Sequence, residues 1–206
     1  MTHYKLTYFD VHGGRAESIR LAFCLGGIPF EDERWSFAEF GQKRASLRFN
    51  AVPVLTIDGA EVTQSNALNR YVGRLAGLYP EDLLQALYCD EVMDAVEDIA
   101  NQVVRTFGLK GDALREAREA LAKGPLTTLI KGLDVLLARG GGEYFADGRL
   151  TVADLKVFVQ LRSLLKGTLD HIPASFVTEL SPALTKHNER IASDPRVVAY
   201  YAACAK

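Results

Sequence analysis

The sequence predicts an α+β protein made of a small mixed β/α domain followed by an all-α helical bundle, and three observations carry that prediction. The first 78 of the 206 residues hold strand, helix and hairpin signals in alternation. Beyond residue 78 the strand signals stop. From there to the C-terminus, apolar residues recur three and four apart, the spacing of a buried helical stripe.

Tyr4 to Phe9 (Y-K-L-T-Y-F) alternates as a strand does, and Asp10 to Gly14 forms a short glycine-bearing loop. The run R-A-E-S-I-R-L-A-F follows, with Ile19, Leu21, Ala22 and Phe23 giving an amphipathic helix that has Ala16 and Glu17 in its first turn. Strand, loop and helix make the first half of a βαβ unit. Gly26-Gly27 stops the helix, and Pro29 to Trp35 supplies a second, parallel strand. Residues 36–48 are polar with scattered aromatics and suit irregular chain with one short helix.

Residues 50–68 organise the domain. They read as a strand from Val52 to Ile57, an Asp58-Gly59 turn, a short strand at Glu61-Val62, and a helix over 65–76 that opens at Gln64-Ser65-Asn66. Asp-Gly between β-branched runs is a strong hairpin signal. The resulting order, β-α-β then β-β-α, is the thioredoxin-like arrangement. Its first loop lacks both G-x-G-x-x-G and a G-K-[ST] ending, so no nucleotide site is predicted there. The glycines suit a tight turn or a close approach to a ligand.

A linker is expected over residues 79–84, where Pro80 breaks any helix, dividing a domain at 1–78 from a helical domain at 85–206. Val92, Val96, Ile99 and Val103 mark one buried stripe; Leu126, Leu129, Ile130, Leu133, Leu136 and Leu137 mark another. Gly140-Gly141-Gly142 ends that second helix. Thr151-Val152-Ala153-Asp154 resembles a capping box, and Pro182 and Pro195 stand in the first turns of two last helices.

Composition excludes several classes. With 24 Lys and Arg against 26 Asp and Glu, the net charge of −2 draws the chain neither to nucleic acid nor to an anionic membrane. No apolar run approaches the roughly 20 residues of a membrane span. Met1 to Lys5 leads into a strand without a signal-peptide pattern, so a cytoplasmic location is expected. Cys24, Cys89 and Cys204 have no metal-ligand or C-x-x-C spacing and read as buried or inert thiols. His3, His12, His171 and His187 are scattered, and no metal is predicted.

The hairpin offers a ligand site. Pro53 cannot donate to a ladder, which leaves the Val52 backbone free for strand addition by an extended peptide. Ser65 stands at a helix N-terminus, where unpaired N–H groups favour a carboxylate. The pair suits a small acidic peptide. An ordinary hairpin whose serine caps a helix fits the same residues.

Taken together, the domain order and the motifs Y-K-L-T-Y-F, G-R-A-E-S-I-R, V-P-V-L-x-I-D-G, Q-S-x-A-L-x-R-Y and L-T-V-A-D-L resemble the cytosolic glutathione transferases over essentially the whole chain. The N-terminal third is most similar to the sigma class, which includes the glutathione-dependent prostaglandin D synthases. The resemblance implies a Tyr-activated transferase that conjugates the glutathione thiolate to small hydrophobic electrophiles, with glutathione as co-substrate. Tyr8 matches the catalytic tyrosine whose hydroxyl donates to the glutathione sulfur. A free thiol of pKa about 8.5 needs a shift of roughly two units, about 2.7 kcal/mol, to become mostly thiolate at pH 7. One hydrogen bond to a charged group is worth about 1.5–3 kcal/mol, so one phenol can supply most of it.

The resemblance also implies the other roles. Arg15 supports the sulfur site, one glycine later than in the sigma pattern. Val52, before a cis Pro53, pairs with the cysteinyl backbone, while Gln64 and Ser65 anchor the γ-glutamyl group. Arg44 meets the glycyl carboxylate, Phe40 replaces the usual tryptophan, and Ala51 lacks a side chain that some relatives use. Asp98 reaches across a homodimer to the γ-glutamyl ammonium of the neighbouring subunit, and Phe49 stands where several classes carry an interface aromatic. The electrophile pocket is expected to take Phe9, Gly14, Arg105 and Cys204. Some sigma relatives bind a divalent cation in an acidic cluster like Asp94, Glu97 and Asp98. A catalytically weak glutathione-binding or structural protein is the alternative. A thiol-disulfide reductase needs a cysteine near the first loop, and residues 8–15 contain none.

Overall fold

Alternation along the first strand decides how the sheet is covered. In the computed structural model, which describes residues 2–204, β1 (Tyr4–Phe9) turns Tyr4, Leu6 and Tyr8 to a buried face. The Tyr4 ring packs 5.5 Å from that of Phe23 on α1 (Gly14–Leu25). On the other face, Thr7 donates to Glu33 of β2 (Glu31–Trp35) at 2.6 Å. Phe9 packs there against Phe37 and Phe40 of α2 (Phe37–Lys43).

β1 pairs parallel with β2 and antiparallel with β3 (Val54–Ile57), which pairs antiparallel with β4 (Ala60–Thr63), giving the order β2-β1-β3-β4. The β3–β4 turn has positive φ at both Asp58 (48°) and Gly59 (89°), as a tight two-residue hairpin requires. The ladder starts at Val54 rather than at Val52, since Pro53 has no N–H to give it. The Val52–Pro53 peptide bond is cis. After β4 comes α3 (Ser65–Leu75), which packs beside α1 on the buried face.

The second part is helical: α4 (Leu83–Val104), α5 (Gly111–Leu121), α6 (Thr127–Arg139), α7 (Val152–Leu165), α8 (Phe176–Leu180), α9 (Pro182–Ser193) and α10 (Pro195–Cys204). α4 begins at Leu83, within the stretch expected to be linker, because the Asp82 carboxylate caps it through the Leu84 and Gln85 N–H groups at 3.0 and 2.9 Å. One wide turn at Ala122–Leu126, holding Gly124 and Pro125, joins α5 to α6.

α7 is the central helix, buried along most of its length and packed on α1, α4 and α9. Asp154 organises its start. One carboxylate oxygen accepts from the Thr151 N–H and hydroxyl at 2.8 and 2.7 Å. The other meets the Phe145 N–H and His187 Nε2, both at 3.0 Å. The Val152 N–H donates to the Leu78 carbonyl at 2.9 Å, tying the two parts together. Cys89 is buried, but Cys24 lies at the surface, contrary to a buried reading. Desolvation and the neighbouring Cys204 push its thiol up to about 11, so it remains protonated.

Candidate active site

The site forms where the end of β1, the first loop and the start of α3 face α4 and α7. Tyr8, the fifth residue of β1, is buried beside the loop. Its hydroxyl oxygen accepts the Arg15 N–H at 3.0 Å. Gly14 makes this approach possible: its φ is +67°, and a Cβ there would stand 2.5 Å from the hydroxyl oxygen. Burial raises the pKa of the phenol, outweighing the Arg15 N–H and the nearby Arg15 and Arg20 charges. The phenol is therefore neutral at ordinary pH. Its oxygen already accepts a hydrogen bond, which leaves its one proton for a further acceptor.

A cleft of about 550 Å³ opens beside Arg15 and includes Phe49, Ala51, Val52, Pro53, Gln64 and Ser65 in its lining. Gln64 holds positive φ (76°) as the N-cap of α3 and gives no side-chain cap, so the first-turn N–H groups of α3 are not satisfied by it. Asn66, Arg70 and Asp94 complete the side of this cleft nearest the helical part.

Glu97 of α4 binds this arrangement together. One of its oxygens accepts from the Ser65 hydroxyl at 2.5 Å and the Lys156 ammonium at 2.6 Å; the other accepts from Arg15 Nε at 2.8 Å. Arg15 also donates to Asn101 Oδ1 at 2.8 Å. Lys156 of α7 is only 6% exposed and donates to Asn66 Oδ1 as well. Burial alone would raise the Glu97 carboxyl, but the Lys156 charge and the Lys156, Ser65 and Arg15 donors prevail and hold it at about 2. Burial lowers the Lys156 ammonium, and Glu97 offsets that only in part.

A second cleft, about 520 Å³, lies against α4 and α7 and shares Arg15 and Glu97 with the first. Tyr8 and Gly14 open onto it, and Val103, Val104, Phe107 and Leu169 give it an apolar wall. The structure thus gathers Tyr8, Gly14, Arg15, Ala51, Val52, Pro53, Gln64 and Ser65 along two adjoining clefts.

Other expected residues stand apart from these linings. Phe9 alternates away from Tyr8 and packs 4.9 Å from Phe40, so neither ring lines a cleft. Arg44 is exposed and lies over the Phe40 ring at 5.3 Å. Arg105 is the exposed C-cap of α4, and its neighbours Val104 and Phe107 take the cleft position instead. Cys204 ends α10 near Cys24, while Tyr201 reaches the cleft from one turn earlier. Asp98 is exposed on α4 and lines neither cleft of this chain; its neighbour Glu97 lines both. Among the described residues no group of acids, histidines and cysteines has metal-holding geometry.

Sequence reasoning passed over Lys156, although the signal was present. A lysine inside the apolar run V-A-D-L-K-V-F-V, on the buried side of a helix, needs a buried partner. Glu97 entered the sequence reading only within the acidic cluster Asp94, Glu97 and Asp98.

Residues 4–74 match the family described as the glutathione S-transferase N-terminal domain, and residues 97–203 match the C-terminal domain of the same family. The chain is 32% identical to glutathione S-transferase 3 of Caenorhabditis elegans, with 96% of this chain and 94% of the relative covered. It is 29% identical to the hematopoietic prostaglandin D synthase of Gallus gallus, covering 97% of this chain and 96% of that one. The solved sigma-class glutathione transferase of Fasciola hepatica superposes with a TM-score of 0.84 at 25% identity, covering 100% and 98% of the two chains.

Proposed function

The chain belongs to the glutathione S-transferase family, and from that premise we propose that Tyr8 is its sulfur-activating residue and the cleft at Val52, Gln64 and Ser65 its glutathione site. The observation that carries this reading is the state of the Tyr8 hydroxyl. It is neutral, buried, held by the Arg15 N–H and left with a proton to donate.

The reaction then follows from what these residues can do. The backbone of Val52 receives the cysteinyl part of the tripeptide, and the N-terminus of α3 with Ser65 and Gln64 receives the γ-glutamyl carboxylate. The Tyr8 hydroxyl donates to the sulfur and favours its thiolate. With a chlorodinitrobenzene, the thiolate forms a C–S bond at the chlorine-bearing carbon, and chloride leaves with the C–Cl pair. Arg15 lies against the same sulfur site, its position fixed by Glu97 and Asn101.

The working form is a cytoplasmic homodimer. Support for an interface comes from Phe49, a large aromatic left 59% exposed beside the glutathione cleft, and from Asp98, an acid left exposed on α4. No helix among the described residues is long and apolar enough to cross a membrane.

Conjugation of glutathione to 1-chloro-2,4-dinitrobenzene by the purified protein tests the reading. Tyr8→Phe is expected to lower kcat/KM by about tenfold or more, the worth of one hydrogen bond to an anion. Undiminished turnover in that variant defeats the assignment of Tyr8.

A further inference from the structure

The second cleft has two cations for which the transferase reaction gives no use. Lys156, Val159, Gln160 and Ser163 recur along one side of α7 and, with Arg162 and the C-cap residue Lys166, line this cleft. Among the described residues no carboxylate lies within ion-pair reach of Arg162 or Lys166, in contrast to Arg15 and Lys156, which both meet Glu97. Glu97 is the one acid among the described lining residues, and its oxygens are already taken by Lys156, Ser65 and Arg15.

Arg162 is half-buried and lies against the Tyr201 ring, 3.9 Å from its centroid. A guanidinium laid on an aromatic face has its N–H edge directed outward, where it fits a carboxylate with two parallel hydrogen bonds. The wall between the two ends of the cleft is apolar, with Val103, Val104, Phe107 and Leu169. Lys156 marks the Tyr8 end, since it shares Glu97 with Arg15. Arg162 follows six positions on, about 9 Å along the helix axis, and Lys166 about 15 Å on.

We infer that the second cleft selects an electrophile bearing a carboxylate at the far end of an apolar body, received by Arg162 with Lys166 flanking it. The inference rests on the transferase reading for its chemistry and adds the class of second substrate. An enal acid such as 10-oxodec-8-enoate fits. The glutathione thiolate forms a C–S bond at the β-carbon, and the alkene electron pair moves into an enolate. The α-carbon then takes a proton from water. Nothing leaves and nothing is oxidised.

The test compares kcat/KM for 10-oxodec-8-enoate and its methyl ester in the wild type, Arg162→Gln and Lys166→Gln. The wild type is expected to prefer the acid by about tenfold or more, mainly through KM, as a charge-assisted hydrogen-bond pair implies. The ratio should fall towards one in Arg162→Gln and shrink in part in Lys166→Gln, whose exposed side chain makes a folding defect an unsuitable explanation. Added salt should reduce the preference. A wild-type ratio near one, or a preference retained in Arg162→Gln, overturns the inference. Failure to turn over both the ester and chlorodinitrobenzene defeats the transferase reading instead. In that event calorimetry with decanoate, which cannot react, decides the matter: weaker binding to Arg162→Gln upholds the carboxylate receptor, and equal binding removes it.

Discussion

Lys156 Nζ and a Glu97 carboxylate oxygen meet at 2.6 Å behind the start of α3, and through this pair the helical part grips Ser65, in the lining of the first cleft. The ammonium comes from α7, the carboxylate from α4, and the Ser65 hydroxyl that joins them from α3. Three elements from both halves of the chain are thereby fixed by one carboxylate.

Lys156→Met removes the strongest partner of a carboxylate that is mostly out of water. Glu97 would retain Arg15 and Ser65, so the expected loss is about 2 kcal/mol rather than the larger cost of a fully stranded buried charge. A urea titration at neutral pH measures it. The Glu97 carboxyl, no longer facing an ammonium, should titrate at a higher pH.

Acid should reveal the same pair. Glu97 titrates at about 2 in the folded chain, below the usual range near 4.5. A carboxyl depressed on folding contributes stability above its unfolded value and loses it as pH falls through the folded one. The contribution of Glu97 is therefore intact above about pH 4.5 and lost progressively towards pH 2. Glu97→Gln should show a shallower acid limb in a plot of unfolding midpoint against pH. Lys156, lowered by burial, adds to the same slope: its buried ammonium costs stability that is recovered as pH rises through its folded value.

Gly14→Ala should damage catalysis more than stability. The added methyl would stand 2.5 Å from the Tyr8 hydroxyl oxygen, and the backbone there has φ +67°. Strain of that kind costs about 1–3 kcal/mol. Displacing the phenol should lower kcat/KM by about tenfold or more if one hydrogen bond to sulfur is lost. Steady-state kinetics beside a thermal melt separates the two effects.

Asp154→Ala strips the start of α7 of its organiser. The Thr151 N–H and hydroxyl, the Phe145 N–H and His187 all lose their partner in the interior. Buried donors left unpaired cost about 1–3 kcal/mol each at sites that cannot relax, so a loss of at least about 3 kcal/mol is expected. Equilibrium unfolding of the variant, or its failure to refold after dilution from urea, checks this.

Local chemistry makes much of this architecture legible in the sequence. β1 alternates cleanly, Asp58-Gly59 has the residues its turn demands, and Thr151 with Asp154 advertises a helix start. Tyr8, Val52, Gln64 and Ser65, which line the two clefts, each lie in a motif with its own local reason. The expected residues that stand outside the cleft linings depend on direction instead. Whether Phe9, Arg105 or Cys204 faces the cleft is set by the packing of α2, α4 and α10, which no short stretch encodes. Glu97 and Lys156 are 59 positions apart, and a partnership at that range is invisible to spacing rules.

The hydrogen bond from Val152 to Leu78 has a bearing on how this molecule could be dissected. α1 lies between the sheet and α7, with apolar side chains on both of its sides. Cut after residue 78, the first fragment would carry an oily back with nothing to shield it, and it would clump rather than persist as a miniature of the whole. What looks like two modules on paper is, for handling in a test tube, a single indivisible object.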